Sequence, residues 1–102
     1  MSKIIITVNG VEQKLSNNIG NSITLGKGFK YTYQKQLLSR LRVAIDSTKN
    51  LPENEAKTHI SNVLIVERNI ANYAAEQYAE LGQDEIFNSF TEIAEDIEEL
   101  FK

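Results

Sequence analysis

The sequence contains no cysteine, a single histidine and a single proline in 102 residues. Without cysteine the chain can form neither disulfides nor thiolate zinc sites, and it lacks a cysteine nucleophile, which suits a reducing compartment. With His59 alone and with serines in polar loops, no set of nucleophile, base and orienting residue can be built. We therefore expect no catalytic residue, no metal site, no cofactor and no enzymatic activity.

Long apolar runs are also missing. No stretch approaches the roughly 20 apolar residues that cross a membrane, and the opening MSKIII turns polar too soon for a signal peptide. We therefore expect a soluble, cytoplasmic protein with no membrane partner. Asparagine, isoleucine and lysine are frequent, which is typical of AT-rich phage and mobile-element genomes.

The first part of the chain carries strand and turn signals. Lys3–Val8 is rich in β-branched residues, Asn9-Gly10 is typical of a type I′ hairpin turn, and Val11–Leu15 is the returning strand. Residues 16–22 have the composition of a loop, and Ile23–Leu25 is a candidate third strand. The length fits one domain, residues 1–102, in which 1–28 form a β-hairpin and loop and 29–102 are helical.

Three helices are predicted from apolar residues at helical spacing: Thr32–Thr48, Pro52–Leu81 and Asp84–Phe101. Pro52 suits a first helical position, with Asn50 as a cap before it and Gly82 as the stop after it. The fold class predicted from these patterns is α+β and mostly helical. It consists of the N-terminal β-hairpin packed on three helices, with a long central helix.

The central helix looks too long for its own domain. It would span roughly 43 Å, whereas a compact domain of this size is roughly 34 Å across. One resolution is a bend at Glu67–Asn69 within a single small core. The favoured resolution is association of copies, because Ile65, Val66 and Tyr73 lie off the main stripe of the helix, to which Ile60, Val63 and Ile70 belong. The candidate association surface consists of Val63, Val66, Ile70 and Tyr73.

Charge divides the chain into two unlike halves. Residues 1–50 hold eight Lys/Arg and two acidic residues, a net +6, whereas residues 51–102 hold three and twelve, a net −9. The favoured interpretation is that the halves face each other and neutralise the field within one domain or across a dimer. The alternative is that one half is a surface for a charged partner.

Two charged surfaces are candidates for that alternative. A basic, aromatic-bearing patch for anions or nucleic acid is formed by Lys27, Lys30, Tyr31, Lys35, Arg40 and Arg42. An acidic face that would imitate a phosphate strip is formed by Glu92, Glu95, Asp96 and Glu99. The glycines around Lys27 are either part of an anion cradle or a plain turn before a helix, and the turn is favoured.

The leading functional hypothesis is a non-enzymatic protein-protein interaction module that associates with itself and with another protein. Nucleic acid is the less favoured partner, and an acidic mimic that occupies a nucleic-acid-binding protein is the third alternative. The opening I-x-V-N-G-x-x-x-x-L resembles the N-termini of siphophage tail-assembly chaperones. This resemblance covers only the first hairpin, and no functional residue follows from it.

Overall fold

The fold is a bundle of three helices. The computed structural model describes residues 4–8, 11–15 and 23–100, with side chains for residues 23–100. Helices α1 (Gly28–Asp46), α2 (Glu53–Glu80) and α3 (Asp84–Glu99) make up 81 % of residues 23–100, which contain no strand. The protein is therefore all-α over this range.

The predicted α+β class, with a hairpin packed on the helices, is wrong for the core as the structure describes it. Buried apolar side chains of residues 23–100 come from the three helices and from the short segments beside them, so within this range the core is built by helices packed on helices. At the backbone level, β1 (Ile4–Val8) and β2 (Val11–Leu15) pair antiparallel. The predicted Asn9-Gly10 turn and the loop at 16–22 lie outside the described residues.

The third strand predicted at Ile23–Leu25 is replaced by an extended segment that α1 holds. The Gln34 side chain, only 1 % exposed, accepts a hydrogen bond from the Gly26 N–H (2.7 Å) and donates one to the Thr24 carbonyl (3.1 Å). The side-chain amide thus pairs with backbone groups that a neighbouring strand would otherwise use. It also holds Ile23 in place against the core.

Helix α2 runs without a break from Glu53 to Glu80, so the bend considered at Glu67–Asn69 does not occur. The helix begins one residue later than predicted, because Pro52 is the residue before the first turn and its carbonyl accepts the Ala56 N–H (2.9 Å). No side chain caps this end, so the predicted Asn50 cap is also wrong. Gly82 ends the helix with φ +72°, a conformation that glycine adopts without a steric penalty.

The chain reverses direction at both connections. Ser47, just after α1, contacts His59 near the start of α2, and Arg40, further back on α1, contacts Glu67, further along α2. Helices α1 and α2 are therefore antiparallel. Beyond Gly82, α3 returns along α2. The returning helix brings Phe90 into an aromatic cluster at ring-centroid distances of 4.9–5.8 Å; its neighbours there are Phe29, Tyr33 and Tyr78.

The length mismatch is resolved by an elongated molecule. Its principal dimensions are 45 × 25 × 18 Å, and the 28 residues of α2 extend about 42 Å. With 19 and 16 residues, α1 and α3 are both shorter than α2. Within the described residues, no helix combines the length and the apolar character needed to cross a membrane.

The Gln34 amide gives the first testable prediction. Replacing Gln34 with Leu leaves the Gly26 N–H and the Thr24 carbonyl without their partner, so we expect the free energy of unfolding to fall by about 1–3 kcal/mol. Urea denaturation followed by circular dichroism measures the change. Gln36→Leu, on the exposed side of the same helix, is the control and should change stability by less than about 0.5 kcal/mol. Equal stabilities of the two variants would show that the Gln34 bonds add nothing.

Candidate interaction surfaces

One side of α2 carries apolar residues that the bundle leaves exposed. We call the residues Val63, Val66, Ile70 and Tyr73 the α2 seam. Val63 is half-buried against the core, whereas Val66, Ile70 and Tyr73 are 54 %, 49 % and 65 % exposed. Their spacing of three, four and three residues keeps them on one face of the helix. The structure therefore places the predicted association surface at the molecular surface.

Helix α1 adds a further apolar residue beside the α2 seam. Val43 is 67 % exposed and lies between Arg40 and Ser47 on the same face of α1. Arg40 and Ser47 both reach α2 residues, so this face of α1 borders α2. An open depression of about 400 Å³ continues along the N-terminal half of α2; its lining residues are Asn54, Glu55, Thr58, His59 and Asn62.

A bidentate ion pair fixes α1 on α2 next to the α2 seam. Arg40 donates from Nε to Glu67 Oε2 (2.7 Å) and from Nη2 to Glu67 Oε1 (3.0 Å). The guanidinium also lies 5.5 Å from the Tyr33 ring centroid, and its Nη2 is 3.4 Å from the Tyr33 hydroxyl. Glu67 is only 7 % exposed, so its charge is compensated by Arg40 rather than by water.

The pKa values of the cluster follow from this geometry. The hydrogen bond to Glu67 raises the pKa of the Arg40 guanidinium above its usual value, against the opposing effect of burial. Burial raises the pKa of the Tyr33 phenol, while the neighbouring Arg40 charge lowers it. Both groups therefore keep their protons at neutral pH, and the cluster is a structural contact rather than a proton-transfer site.

The six residues of the predicted basic patch do not form one free surface. Arg40 is paired with Glu67, and the Lys30 ammonium lies 3.7 Å from Glu92 and 3.5 Å from Asp96 on α3. The rest of the patch is exposed, with the Lys35 ammonium 5.4 Å from the Tyr31 ring centroid; these residues are Lys27, Tyr31, Lys35 and Arg42. Two of the five cations thus neutralise carboxylates of the second half of the chain.

The predicted acidic face lies on one side of α3. Glu92 and Asp96 face Lys30, whereas Glu95 and Glu99 are exposed. The Lys30 and Arg40 contacts both join the basic half of the chain to the acidic half, as the favoured interpretation of the charge division requires. Arg40 makes its contact with Glu67 on α2, whereas Lys30 makes its contacts on α3.

Among the described residues, the contact between His59 and Ser47 most resembles that of a catalytic base with a nucleophile. The His59 Nε2 lies 3.3 Å from Ser47 Oγ, but that hydroxyl donates its proton to the Ala44 carbonyl (2.7 Å). The hydroxyl proton therefore points away from the imidazole that would have to remove it. Among residues 23–100, no group of three or more His, Asp or Glu side chains is arranged to hold a metal ion.

Sequence reasoning missed two residues that shape these surfaces. Gln34 shares the helical spacing of the buried leucines of α1, so its phase on the helix was a usable signal. Val43 lies off that stripe, and only the ion pair of its neighbour Arg40 shows which helix it borders.

Comparison of this chain with family models, curated proteins and solved structures finds no match.

The ion pair between α1 and α2 gives the second prediction. Arg40→Met leaves the almost buried Glu67 carboxylate without its donors, so the free energy of unfolding should fall by about 2 kcal/mol. In a cycle with Glu67→Gln, the coupling energy should be about 1–3 kcal/mol, as measured by urea denaturation.

Arg42→Met is the matched control, because Arg42 is exposed on the same helix two residues away. It should change stability by less than about 0.5 kcal/mol. Additive effects of the Arg40 and Glu67 substitutions would contradict the prediction.

Proposed function

We propose that this protein is a small non-enzymatic protein-protein interaction module that works through the face formed by the α2 seam and Val43. Its role would be that of an adaptor, an assembly factor or an inhibitor in the cytoplasm, encoded by a phage or mobile element. The observation that supports the proposal most is the exposed α2 seam beside a fixed α1–α2 contact. Such a face can bury apolar side chains without rearrangement of the bundle.

Burial of the α2 seam would contribute favourably to binding. Complete burial of a valine or isoleucine side chain that is half exposed contributes about 1 kcal/mol, and Tyr73 offers a larger ring with a polar end. Tyrosine is enriched in binding hot spots, and the aliphatic neighbours of Tyr73 would help to exclude water from it.

The charged faces support the alternative functions less well. A nucleic-acid interface would have to rely on Lys27, Tyr31, Lys35 and Arg42, because the other two cations of the patch already face carboxylates. An acidic mimic would meet a similar difficulty, because Lys30 neutralises part of the α3 face. Both alternatives are distinguished from the main proposal by the variants below.

The third prediction uses the full chain as bait in an extract of its source cells. Val66→Asp with Ile70→Asp would place two unpaired carboxylates in the interface, so affinity for a protein partner should fall at least roughly 100-fold. The measurement is quantitative mass spectrometry of the captured proteins, together with the nucleic acid content of the captured material.

Two matched double variants serve as controls. Lys35→Glu with Arg42→Glu and Glu92→Gln with Glu95→Gln alter the charged faces and should leave the captured proteins unchanged. Nucleic acid that is retained in a strongly salt-dependent way and lost only with the first control would favour the nucleic-acid function instead. Loss of captured protein only with the second control would favour the acidic mimic.

A further inference from the structure

The α2 seam has the residue spacing of a coiled-coil interface. Its positions alternate by three and four residues, which is the a/d pattern that lets two helices interlock side chains along a shared line. The buried side of the same helix faces α1 and α3, and β1 also contacts α2, so the α2 seam is an apolar line beside the buried side and shares Val63 with it. A single peptide loop would not need this regularity, whereas another long helix would.

The charge around the α2 seam favours an identical partner. Asn62, Asn69 and Gln77 along the α2 seam are exposed and uncharged, whereas Glu76 and Glu80 carry charge at its C-terminal end. The α3 face is acidic, so two copies meeting through α3 would repel each other. At the α2 seam, two copies can approach without like-charge contacts provided that Glu76 and Glu80 do not meet their own copies.

We propose that two copies of this chain pair through their α2 seams with the helices antiparallel. In this arrangement Val66 lies opposite the second copy's Ile70, and Val63 lies opposite its Tyr73. A shift by one heptad in either direction would put apolar residues opposite Gln77, Glu80 or residues near the start of α2. Only this register therefore places all four apolar positions against one another.

The antiparallel direction follows from the acidic C-terminal half of α2. A parallel pair in register would bring Glu76 and Glu80 beside their own copies, at positions next to and within the line of contact. In the antiparallel pair Glu76 lies near the second copy's Asn62, and Glu80 lies near its Ala56. Antiparallel helices also place opposite ends of their dipoles together.

The size of the molecule permits an interface of ordinary area. A long face of a molecule measuring 45 × 25 × 18 Å is comparable with the roughly 800 Å² per partner that specific interfaces bury. Val43 on α1 widens the apolar contact beyond α2, because it borders the α2 seam on the side of Arg40. The inference rests on the proposed function and names the partner of that face, a second copy of this chain.

The absence of cysteine makes the fourth prediction directly testable in the full chain. We expect sedimentation and light scattering to give twice the chain mass of 11.5 kDa at high concentration, and the Ile70→Asp variant to remain a monomer. Val66→Cys and Ile70→Cys, mixed in equal amounts and oxidised, should form a disulfide between the two different variants.

The yield of that mixed disulfide should exceed the yield of the disulfide that either variant forms alone. It should also be at least roughly tenfold higher than the yield of the disulfide formed by Asn72→Cys, an exposed control on another side of α2. Efficient disulfides within each single variant would indicate a parallel pair and overturn the proposed arrangement. A monomer at every concentration would overturn self-pairing, as would occupation of the face by the chain's own N-terminal segment. The capture experiment would then decide separately whether the face binds a different protein.

Discussion

The nearly buried carboxylate of Glu67 is the constraint on which the arrangement of α1 and α2 depends. A buried charge must be compensated by a partner with good geometry, and Arg40 supplies two hydrogen bonds from one planar group. This contact sets the rotation of α1 about its own axis. That rotation places the leucines of α1 inside the bundle and leaves Val43 outside, next to the α2 seam.

The distribution of charge along the chain has a related structural role. The basic first half and the acidic second half meet within the bundle, where Lys30 contacts α3 and Arg40 contacts α2. Partial neutralisation inside one molecule leaves the sides of the bundle unlike one another. One side is acidic, one retains Tyr31, Lys35 and Arg42, and the side with the α2 seam is mostly uncharged.

Much of the helical architecture could be predicted from the sequence, because helical spacing reports the buried face of a long amphipathic segment. The same phase on the helix predicted that Val66 and Tyr73 would lie away from the core, but it placed Ile70 on the main stripe, whereas Ile70 is 49 % exposed. The suggested bend at Glu67–Asn69 was wrong. A polar interruption of an apolar run resembles a break in a helix, but here Arg40 of α1 compensates the charge of Glu67 and the helix continues. The prediction of a third strand was wrong for a similar reason, since the Gln34 side-chain amide forms hydrogen bonds with backbone groups of that segment.

The fold class and the basic patch were beyond the reach of sequence patterns. Strand signals near the N-terminus do not reveal whether a sheet contributes to the core, and helix-on-helix burial accounts for the apolar side chains of residues 23–100. Likewise, spacing along α1 shows where six residues lie but not which carboxylates other helices bring to them. Such pairings depend on tertiary contacts between residues far apart in the chain.

The Gln34 amide has a consequence for how the molecule opens. It joins the segment before α1 to the middle of that helix, and Ile23 enters the core at the same place. The segment cannot come away from the bundle while α1 stays intact unless two hydrogen bonds and a buried isoleucine are lost together. Residues 23–26 thus belong to the same cooperative folding unit as the helices.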